Sequence, residues 1–146
     1  MSNHPFKHLL IGGTMDCFHR GHRDFIDLAH SLSDFVTIVL SADSYAQKFR
    51  SYQVRDFTSR RTAIYNYLKT QNLLDRSEIL RGPDDADNRS FYADPKFDAI
   101  LILKCDFELV SKINQQRKDK YVIIVKPRSE INGQDISSTK LNQAHE

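Results

Sequence analysis

The chain has 146 residues, 27% of them charged and 40% hydrophobic, which fits one soluble globular domain spanning 1–146. A balance of 21 Lys and Arg against 19 Asp and Glu leaves a net charge of +2, too small and too dispersed to argue for a nucleic-acid partner. No stretch approaches the roughly 20 apolar residues of a membrane span, the first residues lack a signal-peptide pattern, and Cys17 and Cys105 read as reduced thiols of a cytoplasmic protein.

Lys7 to Ile11 is an apolar run ended by Gly12-Gly13, as a buried strand should be. Phe25, Ile26, Leu28, Ala29 and Leu32 repeat at helical spacing and predict a helix beginning near Gly21. Phe35 to Leu40 follows as a β-branched strand, completing a strand, helix, strand unit whose crossover is right-handed. After a polar stretch from Ser41 to Asp56, Thr58 is the expected N-cap of a helix carrying Ala63, Ile64, Tyr67 and Leu68. Next come a short strand near Glu78 to Leu80, a turn-rich acidic loop from Gly82 to Asn88, and the most hydrophobic strand, Phe97 to Leu103. A helix from about Asp106 to Lys118 leads to a strand at Tyr121 to Val125, an Asn132-Gly133 turn and a short helix opening at Ile136. Continuous apolar strands alternating with helices predict an α/β fold: a doubly wound, Rossmann-like parallel sheet of about five strands with helices on both faces.

The stretch Gly12 to His22 lies where the first strand hands over to the first helix. A helix start leaves backbone N–H groups without intrahelical partners and adds partial positive charge, so an anion is the natural ligand there. His19 and His22 are three apart and share a helical face, with Gly21 permitting close approach between them. Asp16, Cys17, His19 and His22 are metal-ligating types, but crowded into seven residues they do not suit a tetrahedral zinc site, and no metal-ligand set is expected. Ser137, Ser138 and Thr139 follow the last strand; read alone, they serve equally well as N-capping residues or as phosphate contacts.

The pattern Gly12-Gly13-Thr14-Met15-Asp16-x-x-His19-x-Gly21-His22 resembles the first signature of the HIGH-type nucleotidyltransferase superfamily, and Ile136-Ser137-Ser138-Thr139 resembles its second. Within that superfamily the chain is most similar to the archaeal and eukaryotic pantetheine-phosphate adenylyltransferases, over nearly its whole length. Ser41 to Lys48, Phe57 to Arg60, Gly82-Pro83 and Ile113 to Arg117 add to the resemblance. It implies that the phosphate of an acceptor, 4′-phosphopantetheine, attacks the α-phosphate of ATP and displaces pyrophosphate, with Mg²⁺ accompanying ATP. Such chemistry asks for positioning and charge stabilisation more than for a covalent nucleophile. The resemblance gives His19 and His22 to the ATP phosphates, Gly12, Gly13, Thr14 and the segment Ile136 to Lys140 to nucleotide binding, and Thr14, Asp16, Lys48 and Arg60 to the acceptor. Lys48 is the expected cation bridging acceptor and α-phosphate, while Arg60 and Arg61 also read as residues of a solvent face.

Two departures stand out. The second signature continues to an arginine where this chain has Asn142, and the strand ending at Leu103 is followed by Lys104-Cys105-Asp106-Phe107 where those adenylyltransferases have serine, acids and threonine. Two further readings accompany these departures: a cytidylyltransferase acting on a phosphorylated alcohol such as glycerol 3-phosphate, and a nucleotide-binding module with weakened catalysis. No coiled-coil heptad or interface stripe indicates an oligomeric state.

Overall fold

The computed structural model describes residues 3–48, 50–84, 89–127, 130–131 and 134–135. Five strands form one parallel sheet: β1 (Phe6–Gly13), β2 (Ser33–Leu40), β3 (Ser77–Arg81), β4 (Ala99–Leu103) and β5 (Val122–Lys126), in the spatial order β3-β2-β1-β4-β5. The helices are α1 (Arg20–Leu32), α2 (Asp43–Lys48), α3 (Phe57–Thr70), α4 (Arg89–Tyr92) and α5 (Phe107–Gln116). Two short strands, β6 (Glu130–Ile131) and β7 (Gln134–Asp135), pair antiparallel. They flank the expected Asn132-Gly133 turn, which lies outside the described residues, as does the helix expected at Ile136.

The apolar strands are covered on both faces, and alternation along each strand decides which residue meets which helix. Leu9 and Ile11 of β1 point into a cluster with Phe25, Ile26 and Ala29 of α1 and Ile64 and Leu68 of α3. Leu10, between them, points the other way, with Ile100 and Ile102 of β4 and Val110 of α5. Fully burying each such Leu or Ile contributes about 1.5–3 kcal/mol, so these two clusters supply most of the drive for the layered arrangement.

Several boundaries differ from the sequence reading. Asp56, not Thr58, caps α3: its carboxylate accepts the Ser59 N–H at 2.7 Å. The polar stretch after β2 contains α2, whose Ala46 packs with Tyr52 and Val54 in a third small cluster. Gln47 holds the loop that follows, donating to the Tyr52 carbonyl (2.8 Å) and accepting from the Val54 N–H (2.8 Å). Phe97 precedes β4 and is buried beside it, and Lys104–Asp106 form a single 3₁₀ turn before α5.

Candidate active site

In a doubly wound sheet, ligands bind beyond the carboxyl ends of the strands where the strand order reverses. Here that point lies between β1 and β4, and the two loops bordering it are Thr14–His19 and Lys104–Asp106. Gly12 and Gly13 close β1 opposite Val39 and Leu40 of β2, and the Gly13 carbonyl accepts the Ser41 N–H at 3.0 Å. The Thr14 hydroxyl reaches that of Ser41 at 3.4 Å.

The chain then turns through two left-handed residues, Met15 (φ 50°) and Cys17 (φ 53°), each costing on the order of 1 kcal/mol for a non-glycine residue. Met15 is held there by its side chain, which is buried in the core with Phe25 and Ile26. Asp16, fully buried, accepts the Cys17 N–H at 3.0 Å and an Arg55 N–H at 3.0 Å. The same Arg55 nitrogen lies 2.8 Å from Cys17 Sγ. The Asp16 hydrogen bond, followed by the contact with the Cys17 sulfur, raises the pKa of the Arg55 guanidinium.

His19 and His22 form a reciprocal cap on α1. His19 is the N-cap residue, and its Nδ1 accepts the Gly21 N–H at 3.0 Å; His22 Nδ1 accepts the His19 N–H at 3.3 Å. An imidazole nitrogen that accepts a hydrogen bond carries no proton, so each neutral ring holds its proton on Nε2, which in His19 is buried. The rings stack with centroids 3.7 Å apart at 22°, and Phe18 also stacks with His22 at 5.9 Å and 19°. Burial, then the neighbouring His19 and Arg23, pushes the His22 pKa down to about 3, so this ring stays neutral at physiological pH. Phe18 is itself backed by Tyr67 at 5.5 Å, whose hydroxyl donates to Asp27 at 2.6 Å. The expectation that the two histidines share a face therefore takes a definite form, a stacked pair with its protons on Nε2.

Arg60 corrects the solvent-face reading. Only 2% exposed, it donates from Nε to the Arg55 carbonyl (2.8 Å), from one terminal nitrogen to the Thr14 carbonyl (3.0 Å) and from the other to Asp43 (2.8 Å). It fastens the first loop to α2 and to the start of α3, whereas Arg61 is exposed. Lys48 is the exposed last residue of α2. Ile136, Ser137, Ser138, Thr139, Lys140 and Asn142 lie outside the described residues. Sequence reading passed over Phe18, Ser41 and Arg55; an aromatic residue immediately before the first histidine was the available signal for Phe18.

On the β4 side, Lys104, Cys105, Phe107, Glu108 and Val125 line an open groove of about 550 Å³, with Phe107 46% and Val125 40% exposed. Phe107 and Val125 give it apolar walls, and Lys104 and Glu108 bring one charge of each sign. Among the described residues no cluster of three His, Cys, Asp or Glu is arranged to hold a metal ion, and no helix is long and apolar enough to cross a membrane.

A family profile described as cytidylyltransferase-like matches residues 10–144. The chain is 26% identical over 141 residues to the phosphopantetheine adenylyltransferase of Methanopyrus kandleri, a match covering 93% of this chain and 88% of that one. A protein of unknown function from Archaeoglobus fulgidus has a similar structure, with a TM-score of 0.65 at 23% identity over 91% of this chain and 96% of that one. The pantoate-beta-alanine ligase of Francisella tularensis, solved with a β,γ-ATP compound and β-alanine, gives 0.61 at 14% identity over 94% and 65%. At these identities the two structures speak for the fold alone.

Proposed function

Since the chain belongs to the cytidylyltransferase-like family and is a nucleotidyltransferase, we propose that it transfers AMP from ATP to 4′-phosphopantetheine, forming dephospho-coenzyme A and pyrophosphate. The observation that carries the chemistry is the stacked His19–His22 pair with its Nε2–H donors at a helix N-terminus. The relative from Methanopyrus kandleri supports the choice of substrates.

An oxygen of the acceptor phosphate forms the new bond to the α-phosphorus. The bond from that phosphorus to the oxygen bridging towards the β-phosphate breaks, and pyrophosphate leaves with the electron pair. Negative charge spreads over the non-bridging α-phosphate oxygens, where fixed N–H donors stabilise it without reorganising. Because His22 is neutral, it donates a hydrogen bond without first taking up a proton. Imidazoles that present N–H groups suit phosphate oxygens and not a cation, so Mg²⁺ would be held by nucleotide oxygens and water, neutralising phosphate charge when bound. Thr14 and the Gly12-Gly13 backbone face the transferred phosphate, Lys48 bridges it to the acceptor, and Ile136 to Lys140 receive the outer phosphates. The groove from Lys104 to Val125 takes the adenine or the pantetheine arm.

The test is incubation of the full chain with Mg²⁺, each of ATP and CTP, and each of 4′-phosphopantetheine and glycerol 3-phosphate. Release of pyrophosphate and formation of dephospho-coenzyme A from the ATP and 4′-phosphopantetheine pair is the expected result. Turnover only with CTP, or nucleotide binding without any turnover, would overturn it.

A further inference from the structure

We infer that Arg55 is a direct contact for the phosphate of the acceptor, the outward-facing cation of a corner in which Asp16 and Arg60 are turned inward. The inference deepens the proposed reaction and rests on it for the acceptor's identity. Two residues that the resemblance gives to the acceptor, Asp16 and Arg60, are 0% and 2% exposed and hold the loop together. Arg55 belongs to the same network but differs from both, since 55% of its side chain is exposed.

Arginine carries five N–H donors in a rigid fork. Two of them, on one terminal nitrogen, go to Asp16 Oδ1 and Cys17 Sγ. The three on Nε and the other terminal nitrogen have no acceptor among the described residues. That remaining edge has the geometry that grips a phosphate with two parallel hydrogen bonds. The base of the side chain is also fixed, because the Arg55 carbonyl accepts from Arg60 Nε at 2.8 Å while the same guanidinium holds the Thr14 carbonyl at 3.0 Å. Arg55 and Thr14 are therefore set relative to each other by one buried side chain. There is an electrostatic reason as well: an uncompensated carboxylate at Asp16 would repel an incoming phosphate, and Arg55 both offsets that charge and offers donors of its own.

The experiment compares the wild-type full chain with Arg55→Gln, Arg55→Lys and the double variant Asp16→Asn, Arg55→Gln. Calorimetric titrations use 4′-phosphopantetheine, pantetheine without its phosphate, inorganic phosphate and ATP, alongside thermal melts. Arg55→Gln is expected to weaken 4′-phosphopantetheine and inorganic phosphate by about 10- to 100-fold, the size of a lost charge-assisted contact, while pantetheine and ATP change less than twofold. Arg55→Lys should fall between, keeping the charge and losing the fork. The double variant, which leaves no buried charge without its partner, should regain melting temperature and stay weak for phosphate. Unchanged phosphate affinity in Arg55→Gln would overturn the inference. So would recovery of both stability and affinity in the double variant, or a wild type that binds neither phosphate probe. Arg55-dependent phosphate binding in a protein that forms no dephospho-coenzyme A would sustain the role of Arg55 and overturn only the substrate assignment.

Discussion

Histidines occupy both edges of the sheet, and the contrast between them separates packing from chemistry. At the amino-terminal edge, His8 Nε2 donates to the Thr37 hydroxyl at 2.6 Å, which in turn donates a hydrogen bond to Glu78 at 2.7 Å, a chain running across β1, β2 and β3. His30 is 4% exposed; its Nδ1 donates to the Ile26 carbonyl at 2.9 Å, and its Nε2 sits 2.6 Å from the Ser77 hydroxyl. These rings direct their donors into protein. At the carboxyl edge, His19 and His22 accept backbone N–H groups through Nδ1 and so hold their protons on Nε2, the arrangement an anion requires. Histidine burial alone is thus a poor guide to function; which nitrogen is taken, and by what, is the better one.

Replacing His22 tests the carboxyl edge most severely. His22→Ala should lower kcat by about 10² to 10³, as for removal of a preorganised donor, measured as pyrophosphate release. Its thermal cost should be only the lost cap, about 1 kcal/mol. Arg60→Ala should act in the opposite sense, through stability first. It strips three hydrogen bonds from a buried guanidinium; because Asp43 is itself exposed, the loss should sit near the low end for broken buried pairs, about 3 kcal/mol. That is a fall of roughly 6–12 °C in Tm for a chain of this size. At the amino-terminal edge, His30→Ala should cost about 1–3 kcal/mol of stability and leave kcat within twofold, measured on the same two assays. A large kcat loss there would erase the contrast.

The smallest expected effect is a pH slope. Burial lowers the pKa of His22, to about 3, and also that of His30 and His8. Below the unfolded value of about 6.5, the unfolded chain binds protons that the folded chain refuses. Stability is therefore full above that pH and is lost as pH falls through it, for His22 continuing towards 3. His22→Gln should flatten the slope of stability between pH 6.5 and 4.5 by about 1 kcal/mol per pH unit, read from melts across that range.

Strand and helix positions were legible wherever apolar runs were long, as for β1, β2, β4 and α1, because continuous hydrophobicity and helical spacing report burial directly. The segment holding α2 was not, since Ala46, Tyr52 and Val54 bury a small cluster without any periodic stripe, and a glutamine amide does the work of a turn motif. The first loop was legible as an anion site from its glycines and histidines. Its internal wiring was not: Met15 and Cys17 adopt left-handed backbone without glycine, and no local pattern marks an arginine 2% exposed. Arg60 lies 46 residues from the Thr14 carbonyl it binds, a contact that only the fold creates.

The strand order carries a consequence for how the chain is made. Of the five strands in the sheet β1 is made first, yet it ends up in the middle, with β2 on one side and β4 on the other. β2 can add to its first edge, and β3 to β2, once residue 81 is available. Its second edge, at Leu9 and Leu10, has no native partner until Ala99 and Ile100 exist. During that interval a nascent half-sheet exposes the unpaired edge of a strand that ends up inside the sheet, the kind of edge to which other chains add. The residue ladder that later frames the crevice is thus also the stretch of the nascent chain most in need of shelter.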